Sequence, residues 1–299
     1  MSQYEILQCA EVIVNTVNPL NENGISFPEG RISLHGSPTH PTADRRDRMP
    51  AQKSPMRSLE RAIDVLEILD SSRGPLRLNE IARRAELPVA TTQRILAVLE
   101  SRDRVERDSN GYRPGIALTF GAHAFSTTNP LIRAARPVLI ELASITGLTS
   151  TLYREHNGQR VALSRAGIAR NFGYELVVGS RLPLTTGGGK AILAQLKDDD
   201  IMTLHQEQAA KPEQTPELDA LMLDVAGIRD RGYSISREER EPGVASVAAA
   251  IPGDYGILAA IQVTGTIDDF PEEKTQSLGR QVRQAAISIG HGLPELPGN

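Results

Sequence analysis

Length, charge and cysteine content narrow the class of protein before any motif is considered. The chain has 299 residues, of which 39% are hydrophobic and 23% charged, an ordinary globular balance in a length that suits two domains. No apolar run approaches the ~20 residues that span a bilayer, and Glu5 and Glu11 stand where a secretory signal would have a basic start. The single cysteine, Cys9, excludes an internal disulfide and a CxxC metal site, and it predicts a reducing, cytoplasmic location.

The net charge of -4 does not decide whether the chain binds nucleic acid. The acidic excess lies mainly in residues 126–299, which carry 17 basic and 21 acidic side chains, whereas residues 57–125 carry 11 and 10. Only the surface that docks on DNA has to be positive. The distribution of charge therefore permits DNA binding without indicating it.

Residues 1–56 lack a sustained periodic pattern and are predicted to form a disordered tail rich in Gly, Pro, Ser and Thr. We expect this tail to be dispensable for folding, and Met56, directly before the first helical pattern, to be an alternative start. A basic cluster in the tail either contacts DNA phosphates or lies in a solvated linker. The cluster consists of Arg45, Arg46, Arg48 and Lys53.

Residues 57–116 are predicted to form a winged helix-turn-helix domain, and its first helix has one apolar face. Ser58 is a suitable N-cap for this helix, and Gly74-Pro75 stops it. The residues of the apolar face recur at three- and four-residue spacing, as a buried stripe requires. They are Leu59, Ala62, Ile63, Leu66 and Leu69.

Two further helices and a hairpin complete the predicted motif. Asn79 is placed to cap a helix over Glu80 to Ala85, and after a three-residue turn a second helix begins at Pro88 and extends to about Ser101. Asn110-Gly111, a strong hairpin signal, joins short strands at 105–107 and 112–113. Two short helices joined by such a turn and followed by a hairpin are typical of a winged helix-turn-helix.

The rest of the chain is predicted to be a linker helix over residues 117–129, an α+β domain over 130–292 and a short tail over 293–299. The α+β domain opens with an amphipathic helix that Gly147 is suited to end. Strand patterns follow at 150–154, 160–164, 175–178, 246–251 and 256–264. Helical patterns lie at 190–195, 201–206, 217–231 and 273–290. Strands with helices at both ends favour an antiparallel sheet.

The second helix of the motif carries the candidate DNA contacts. Its predicted inward face consists of Thr92, Ile95, Leu96 and Leu99, and its opposite stripe is available to the major groove.

On that outward stripe, Gln93 is suited to read adenine and Arg94 guanine through paired hydrogen bonds. Thr91 suits a phosphate, and Ala90 a thymine methyl group. The alternative is that Gln93 and Arg94 are solvated. In the predicted wing, Arg107 and Arg113 fit contacts to the DNA backbone.

The run Gly187-Gly188-Gly189-Lys190 suggests a phosphate-binding loop but fails the Walker A pattern. That pattern needs a glycine where the chain has Leu184, and Ser or Thr where it has Ala191. Glycines directly before a helix leave backbone N–H groups open, which suits a carboxylate. The alternative is a tight turn that lets two backbone segments approach each other.

Three stretches of the chain resemble the IclR family of transcription regulators, in that family's order. They are SLERAIDVLEIL with LPVATTQRILAVLE, then VGSRLPLTTGGGKAILAQL, then RGYSISREEREPGVASVAAAI. The last contains the family's motif positions Gly232, Ser236, Glu239, Gly243 and Ser246. The likeness spans roughly residues 57 to 292, and the chain departs from the pattern in the Pro-Gly-Asp after Ile251.

The resemblance implies a winged-helix domain, a linker helix and an effector domain, in homodimers that often pair into tetramers on operator DNA. It implies control of catabolic genes, as repressor or activator, and an effector pocket lined by the glycine loop (Gly187 and Gly188) together with Ser236 and Ser246. The two hydroxyls add no fixed charge. Together with the open N–H groups, they indicate a small organic acid as effector, aromatic or not.

Two other classes of function stay open at this point. One is a small-molecule enzyme with an N-terminal winged-helix interaction module, and the other is a protein–protein adaptor. The chain has no HExxH, GxSxG or GxGxxG motif, and neither a metal nor another cofactor is expected. Glu238, Glu239 and Glu241 resemble paired catalytic carboxylates, but an acidic run in a turn is more often a solvated face.

Overall fold

A computed structural model describes residues 56–167, 176–208, 216–253 and 258–293. The predicted N-terminal tail up to residue 55 and the C-terminal residues 294–299 lie outside these ranges. Among the helices that fall within them, none is both long enough and apolar enough to cross a membrane.

The N-terminal part contains the predicted helix-turn-helix as helices α1 (Arg57–Asp70), α2 (Leu78–Arg84) and α3 (Val89–Glu100). Both predicted caps are wrong, since Ser58 lies inside α1 and Asn79 inside α2, and the N-cap positions are Met56 and Arg77. The small core between these helices and the wing is made of one buried set: Val65, Leu69, Leu76, Ile81, Leu96, Val105 and Tyr112.

The predicted apolar face of α1 is only partly correct. Leu69 is buried, but Leu59 and Ile63 are 51% and 46% exposed, and Val65 is fully buried instead. At 100° per residue, Leu59 and Ile63 lie about 100° and 140° around the helix from the midpoint of Val65 and Leu69. The stripe that packs is therefore rotated away from the one that spacing alone indicated.

The wing is an antiparallel hairpin of β1 (Val105–Asp108) and β2 (Gly111–Pro114), as Asn110-Gly111 predicted. The Asp108 carboxylate accepts the N–H groups of Asn110 (2.7 Å) and Gly111 (3.2 Å), which fixes the turn. Gly111 has φ +139°, and a Cβ there would lie 2.4 Å from the Leu76 carbonyl oxygen. The short extended segment at Leu76 bridges Tyr112 and joins the wing to the helices.

Two consecutive helices connect the wing to the C-terminal sheet: α4 (Ala117–Thr128) and α5 (Pro130–Thr146). The Asn129 side chain caps α5 by accepting the Ile132 N–H at 3.2 Å. Gly147 ends α5 with φ +67°, in the left-handed conformation expected of a C-cap glycine.

The C-terminal part is α+β, as predicted, around a six-stranded antiparallel sheet. Its order is β5-β4-β3-β8-β7-β6. The strands are β3 (Thr149–His156), β4 (Gln159–Ala166), β5 (Arg181–Pro183), β6 (Ser234–Arg237), β7 (Val244–Ala250) and β8 (Ala259–Thr266). The helices after β5 are α6 (Gly189–Leu193), α7 (Asp198–Gln208), α8 (Leu218–Arg231) and α9 (Glu272–His291).

The prediction of a strand at 175–178 is wrong for residues 176–178, which the structure describes. Residues 176–178 form no strand, and Val177 and Val178 are more than half exposed before the turn at Gly179. The chain pairs instead through β5, just after that turn. Strand β6 was not predicted at all, because Ser-Ile-Ser-Arg is too short and polar to show a strand pattern.

The two faces of the sheet differ in chemistry. One face is apolar and packs on the long helices α5 and α9, with Val247, Ile261 and Val263 in that core. The other face is covered by α6 at β7 and β8, and α8 packs in turn on α6. This second face carries buried polar side chains, among them Ser246, Gln262 and Thr264. Apolar residues, among them Tyr153, Ala248 and Ala260, share this polar face, so its polar side chains form one region of it.

Candidate DNA-binding and effector-binding sites

Helix α3 presents the side chains that the sequence assigned to DNA. Thr92 and Leu96 are buried and Ile95 and Leu99 half-buried, so the predicted inward face is confirmed. The predicted contacts occupy the first two turns of the helix, which has no acidic residue in its first turn. Of these, Ala90, Gln93 and Arg94 are exposed, and Thr91 is half-buried at the edge of the stripe.

The two wing arginines differ in their surroundings. Arg107 is exposed, and its guanidinium lies 5.3 Å from the centroid of the Tyr112 ring, within range of a cation–π contact. Arg113 bridges two carboxylates of the wing, Glu106 at 3.2 Å and Asp108 at 2.8 Å. The charge of Arg113 is therefore partly neutralised inside the hairpin, whereas Arg107 forms no ion pair with any carboxylate in the described part of the chain.

A row of hydroxyl side chains crosses the polar face of the sheet. The strand registers place Ser236 opposite Ser246, and Ser246 opposite Thr264. All three are buried, and all three line a small cavity of about 30 Å³. The sheet thus brings the two predicted effector serines side by side.

The glycine loop lies against this cavity, but its N–H groups are not open as predicted. The Gly187 N–H donates to Glu239 Oε2 at 2.8 Å, and the Gly188 N–H donates to Gln262 Oε1 at 3.0 Å. Gly187, Glu239 and Gln262 line the cavity directly. The donors expected for a ligand are satisfied by two of the chain's own side chains, which come from β8 and from the turn after β6.

The glycines are also needed for close packing. Gly187 has φ +54°, and a Cβ on Gly188 would lie 2.2 Å from Gln262 Oε1. A Cβ on Gly189 would lie 2.4 Å from the Leu184 carbonyl oxygen. The tight-turn interpretation is therefore correct, and it is compatible with a role in binding because the same contacts place the loop at the cavity.

Glu239 belongs to the exposed acidic run at 238–241, but its carboxylate is held in an ion pair. Its Oε1 accepts from Lys190 Nζ at 2.6 Å, and Lys190 Nζ also donates to Asp224 Oδ2 on α8. The Lys190 side chain is only 6% exposed. This ion cluster joins the glycine loop, α8 and the turn after β6, and Arg231 extends it with a longer contact of 3.4 Å to Asp224.

Arg160 supports the segment that leads into the loop. It is buried, its Nη1 donates to the carbonyl oxygens of Pro183 (2.9 Å) and Thr186, and its guanidinium lies 5.2 Å from the Tyr153 ring centroid. Sequence reasoning assigned no role at the site to Arg160, Lys190 or Gln262. The available signal was a polar residue at every second position of otherwise apolar β8, in AAIQVTGT.

Sequence profiles of two domains match the chain in the order of its two parts. The IclR helix-turn-helix domain matches residues 58–109, and the C-terminal domain of bacterial IclR transcriptional regulators matches residues 123–291.

Curated proteins with similar sequences include transcriptional repressors. The HTH-type transcriptional repressor AllR of Escherichia coli strain K12 is 29% identical over 270 residues, which cover 86% of the chain and 100% of AllR. AllR of Salmonella typhimurium strain LT2 is 28% identical over 268 residues, covering 86% of the chain and 98% of that protein.

Solved structures share the fold. An IclR family transcriptional regulator from Brucella abortus has a TM-score of 0.70 and 22% identity, covering 82% of this chain and 97% of its own. An IclR homologue from Microbacterium hydrocarbonoxydans, complexed with 4-hydroxybenzoate, has a TM-score of 0.64 and 22% identity, covering 79% and 98%. The relatives are regulators, which favours the DNA-binding interpretation over an enzyme or an adaptor. From the two matched domains in their order, we conclude that the chain belongs to the IclR family of bacterial transcriptional regulators.

Proposed function

We propose that this IclR-family regulator binds operator DNA as a homodimer through α3 and the wing, and that a small organic acid bound on the polar face of the sheet controls it. The observation that carries the effector half is the buried hydroxyl row beside the glycine loop. Buried polar groups are costly unless they have partners, and here they converge on one cavity. A regulator that binds chromosomal DNA acts in the cytoplasm.

In the DNA complex, the first two turns of α3 enter the major groove. Gln93 and Arg94 read base edges, Ala90 contacts a thymine methyl group, and Thr91 contacts a phosphate. The exposure of this stripe and the burial of the opposite one support the assignment. Arg107 and Arg113 contact the DNA backbone from the wing, and Arg107 contributes the larger share because Glu106 and Asp108 already hold Arg113.

The homodimer is proposed to form through α4. The sequence of this helix, ALTFGAHAFSTT, contains no Asp, Glu, Lys or Arg, yet Ala117 is its single buried residue among those described. Phe120 is 68% exposed and Phe125 is 44% exposed. An uncharged helix that leaves its aromatic side chains in water is typical of an interaction surface, and a second copy covers it in a symmetric dimer. Particle mass on operator DNA distinguishes a dimer from a pair of dimers.

The effector is proposed to be a small organic acid in contact with Ser236, Ser246 and the loop residues Gly187 and Gly188. Hydroxyls donate or accept hydrogen bonds, and Ser236 and Ser246 share the wall of the cavity with Gly187. The 4-hydroxybenzoate held by the relative from Microbacterium is an acid of this class. The names of the AllR relatives support repression as the direction of control.

The DNA half is tested with Arg94→Ala on a footprinted operator. We expect a loss of about 1–3 kcal/mol in specific binding, with little change on unrelated DNA. Arg280→Ala is the matched control, because Arg280 is an exposed arginine on α9. Equal operator affinity of Arg94→Ala and the control would remove Arg94 from the interface.

The effector half is tested by calorimetry with monocarboxylic acids, including 4-hydroxybenzoate, alongside operator binding. Ser246→Ala and Ser236→Ala should each weaken acid binding and leave operator affinity without acid unchanged. Ser288→Ala, an exposed serine on α9, is the control. Normal acid binding by both pocket variants would place the effector elsewhere. Ligand and operator affinities should change together, because their coupling is reciprocal.

A further inference from the structure

Gln262 occupies the hydrogen-bonding position that an anionic ligand would take at Gly188. Its Oε1 accepts the Gly188 N–H at 3.0 Å, and its Nε2 donates to Thr264 Oγ1 at 2.7 Å. The side chain is 5% exposed and lines the cavity. The two hydrogen bonds fix which end of the amide faces the loop, so its carbonyl oxygen mimics one oxygen of a bound carboxylate.

The other loop donor is held much more firmly. Glu239, which accepts the Gly187 N–H, is also ion-paired with buried Lys190. Removing Glu239 would leave the buried Lys190 ammonium with Asp224 as its remaining carboxylate partner among the described residues, which is costly. Removing the neutral amide from Gly188 breaks two uncharged hydrogen bonds, whose net contribution is small. Of the two side chains that cap the loop, Gln262 is the one that can be exchanged.

We propose that Gln262 is an internal stand-in for the effector's carboxylate, and that effector binding is an exchange in which the acid displaces its amide from Gly188. This rests on the proposed function of the same pocket. A carboxylate makes a stronger, charge-assisted hydrogen bond to the N–H than an amide oxygen does. The exchange also explains why the cavity, at about 30 Å³, is smaller than an organic acid. The acid would take the space that the Gln262 side chain fills without ligand.

The exchange defines the class of ligand. Because Glu239 stays in place on Gly187, the exchange frees one loop donor, the Gly188 N–H. A second carboxylate on the ligand would find no second free loop N–H and would lose its hydration without that compensation. The pocket therefore selects small monocarboxylic acids over dicarboxylic acids. Its serine hydroxyls, on β6 and β7, are available to a hydroxyl or keto oxygen of the acid.

The first test compares Gln262→Ala with the full-length wild type by calorimetry, using acetate, pyruvate, 4-hydroxybenzoate and succinate. Removing the internal competitor should tighten monocarboxylate binding by about three- to tenfold, with no gain for succinate. Gln276→Ala, at an exposed glutamine on α9, is the matched control. Unchanged or weaker monocarboxylate binding by Gln262→Ala, where wild type binds, overturns the proposal. If Gln262→Ala does not fold, Gln262→Asn replaces it, because its shorter amide withdraws from Gly188 and remains near Thr264.

The second test needs no ligand. In Gln262→Glu a carboxylate is placed permanently on the Gly188 N–H, and Thr264 can donate to it. Operator affinity of this variant without acid should equal that of wild type saturated with acid, and acid binding should fall more than about tenfold. If no acid binds wild type or Gln262→Ala, the proposed effector class fails. The stand-in is then judged by Gln262→Glu alone, where a shifted operator affinity supports it and an unshifted one overturns it.

Discussion

Replacing Lys190 with methionine should lower the free energy of unfolding of the C-terminal domain more than removing any single hydrogen bond of the pocket does. The Lys190 side chain is 6% exposed, whereas the side chains of its partners Asp224 and Glu239 are 32% and 26% exposed. Breaking a fully buried ion pair costs about 3–5 kcal/mol. Because both carboxylates reach some solvent here, we expect about 2–4 kcal/mol, within and just below that range.

The measurement is urea denaturation at pH 7 followed by far-ultraviolet circular dichroism. Lys197→Met is the matched control, since Lys197 is exposed a few residues further along the chain and should stay within about 0.5 kcal/mol of wild type. The double variant Lys190→Met, Glu239→Gln should recover part of the loss, because it no longer leaves the Glu239 carboxylate without its cation. A Lys190→Met protein as stable as Lys197→Met would refute this account of the cluster.

Three further predictions concern DNA, the dimer and pH. Arg107→Ala should lower by about 1 the steepness with which the DNA-binding constant falls with salt, on logarithmic scales. Arg113→Ala should lower it by clearly less, because two carboxylates already neutralise Arg113. Equal changes in the two variants would contradict this difference. In sedimentation experiments, Phe120→Asp should weaken dimerisation about tenfold or more. The control Leu223→Asp, also at an exposed apolar residue, should leave the dimer unchanged. An intact Phe120→Asp dimer would exclude α4 as the dimer interface. Partial burial raises the pKa of Asp70 above its ordinary value of 3.8; Arg181 opposes this shift and Glu67 adds to it. The folded protein therefore binds the proton of the Asp70 carboxyl more tightly than the unfolded chain does, and it loses stability as pH rises through the raised pKa. Asp70→Asn should therefore melt at a higher temperature than wild type at pH 7, with an advantage that shrinks as pH falls toward 4; an equal advantage at both pH values would contradict the sign.

Features set by a few neighbouring residues could be predicted from sequence. The Asn110-Gly111 turn, the left-handed Gly147 cap and the inward face of α3 depend on local backbone preference or on spacing within one helix, and all three are confirmed. Leu59 and Ile63 were misjudged because an amphipathic pattern shows that a buried stripe exists without fixing where its centre lies. The run at residues 176–178 has strand-forming residues, but a strand also needs a partner edge, which sequence does not reveal.

Whether the N–H groups of the glycine loop are free depends on contacts between residues far apart in the chain. The hydrogen bonds from Gly187 to Glu239 and from Gly188 to Gln262 join residues separated by 52 and 74 positions. The glycines and serines could be assigned to the pocket from the family pattern. That the loop donors are already occupied could be learned only from the three-dimensional arrangement.

The strand order has a consequence for synthesis of the protein. At the centre of the sheet β3 pairs with β8, with Leu152 opposite Ile261, so the middle of the sheet joins the first and last strands of the domain. The core of the helix-turn-helix part, in contrast, uses no residue later than Tyr112. Because long-range pairing must wait for the later strand while local contacts form early, the DNA-binding part should fold on the ribosome before the effector pocket exists. A chain released before β8 would then contain a folded DNA-binding motif without the domain that senses the effector.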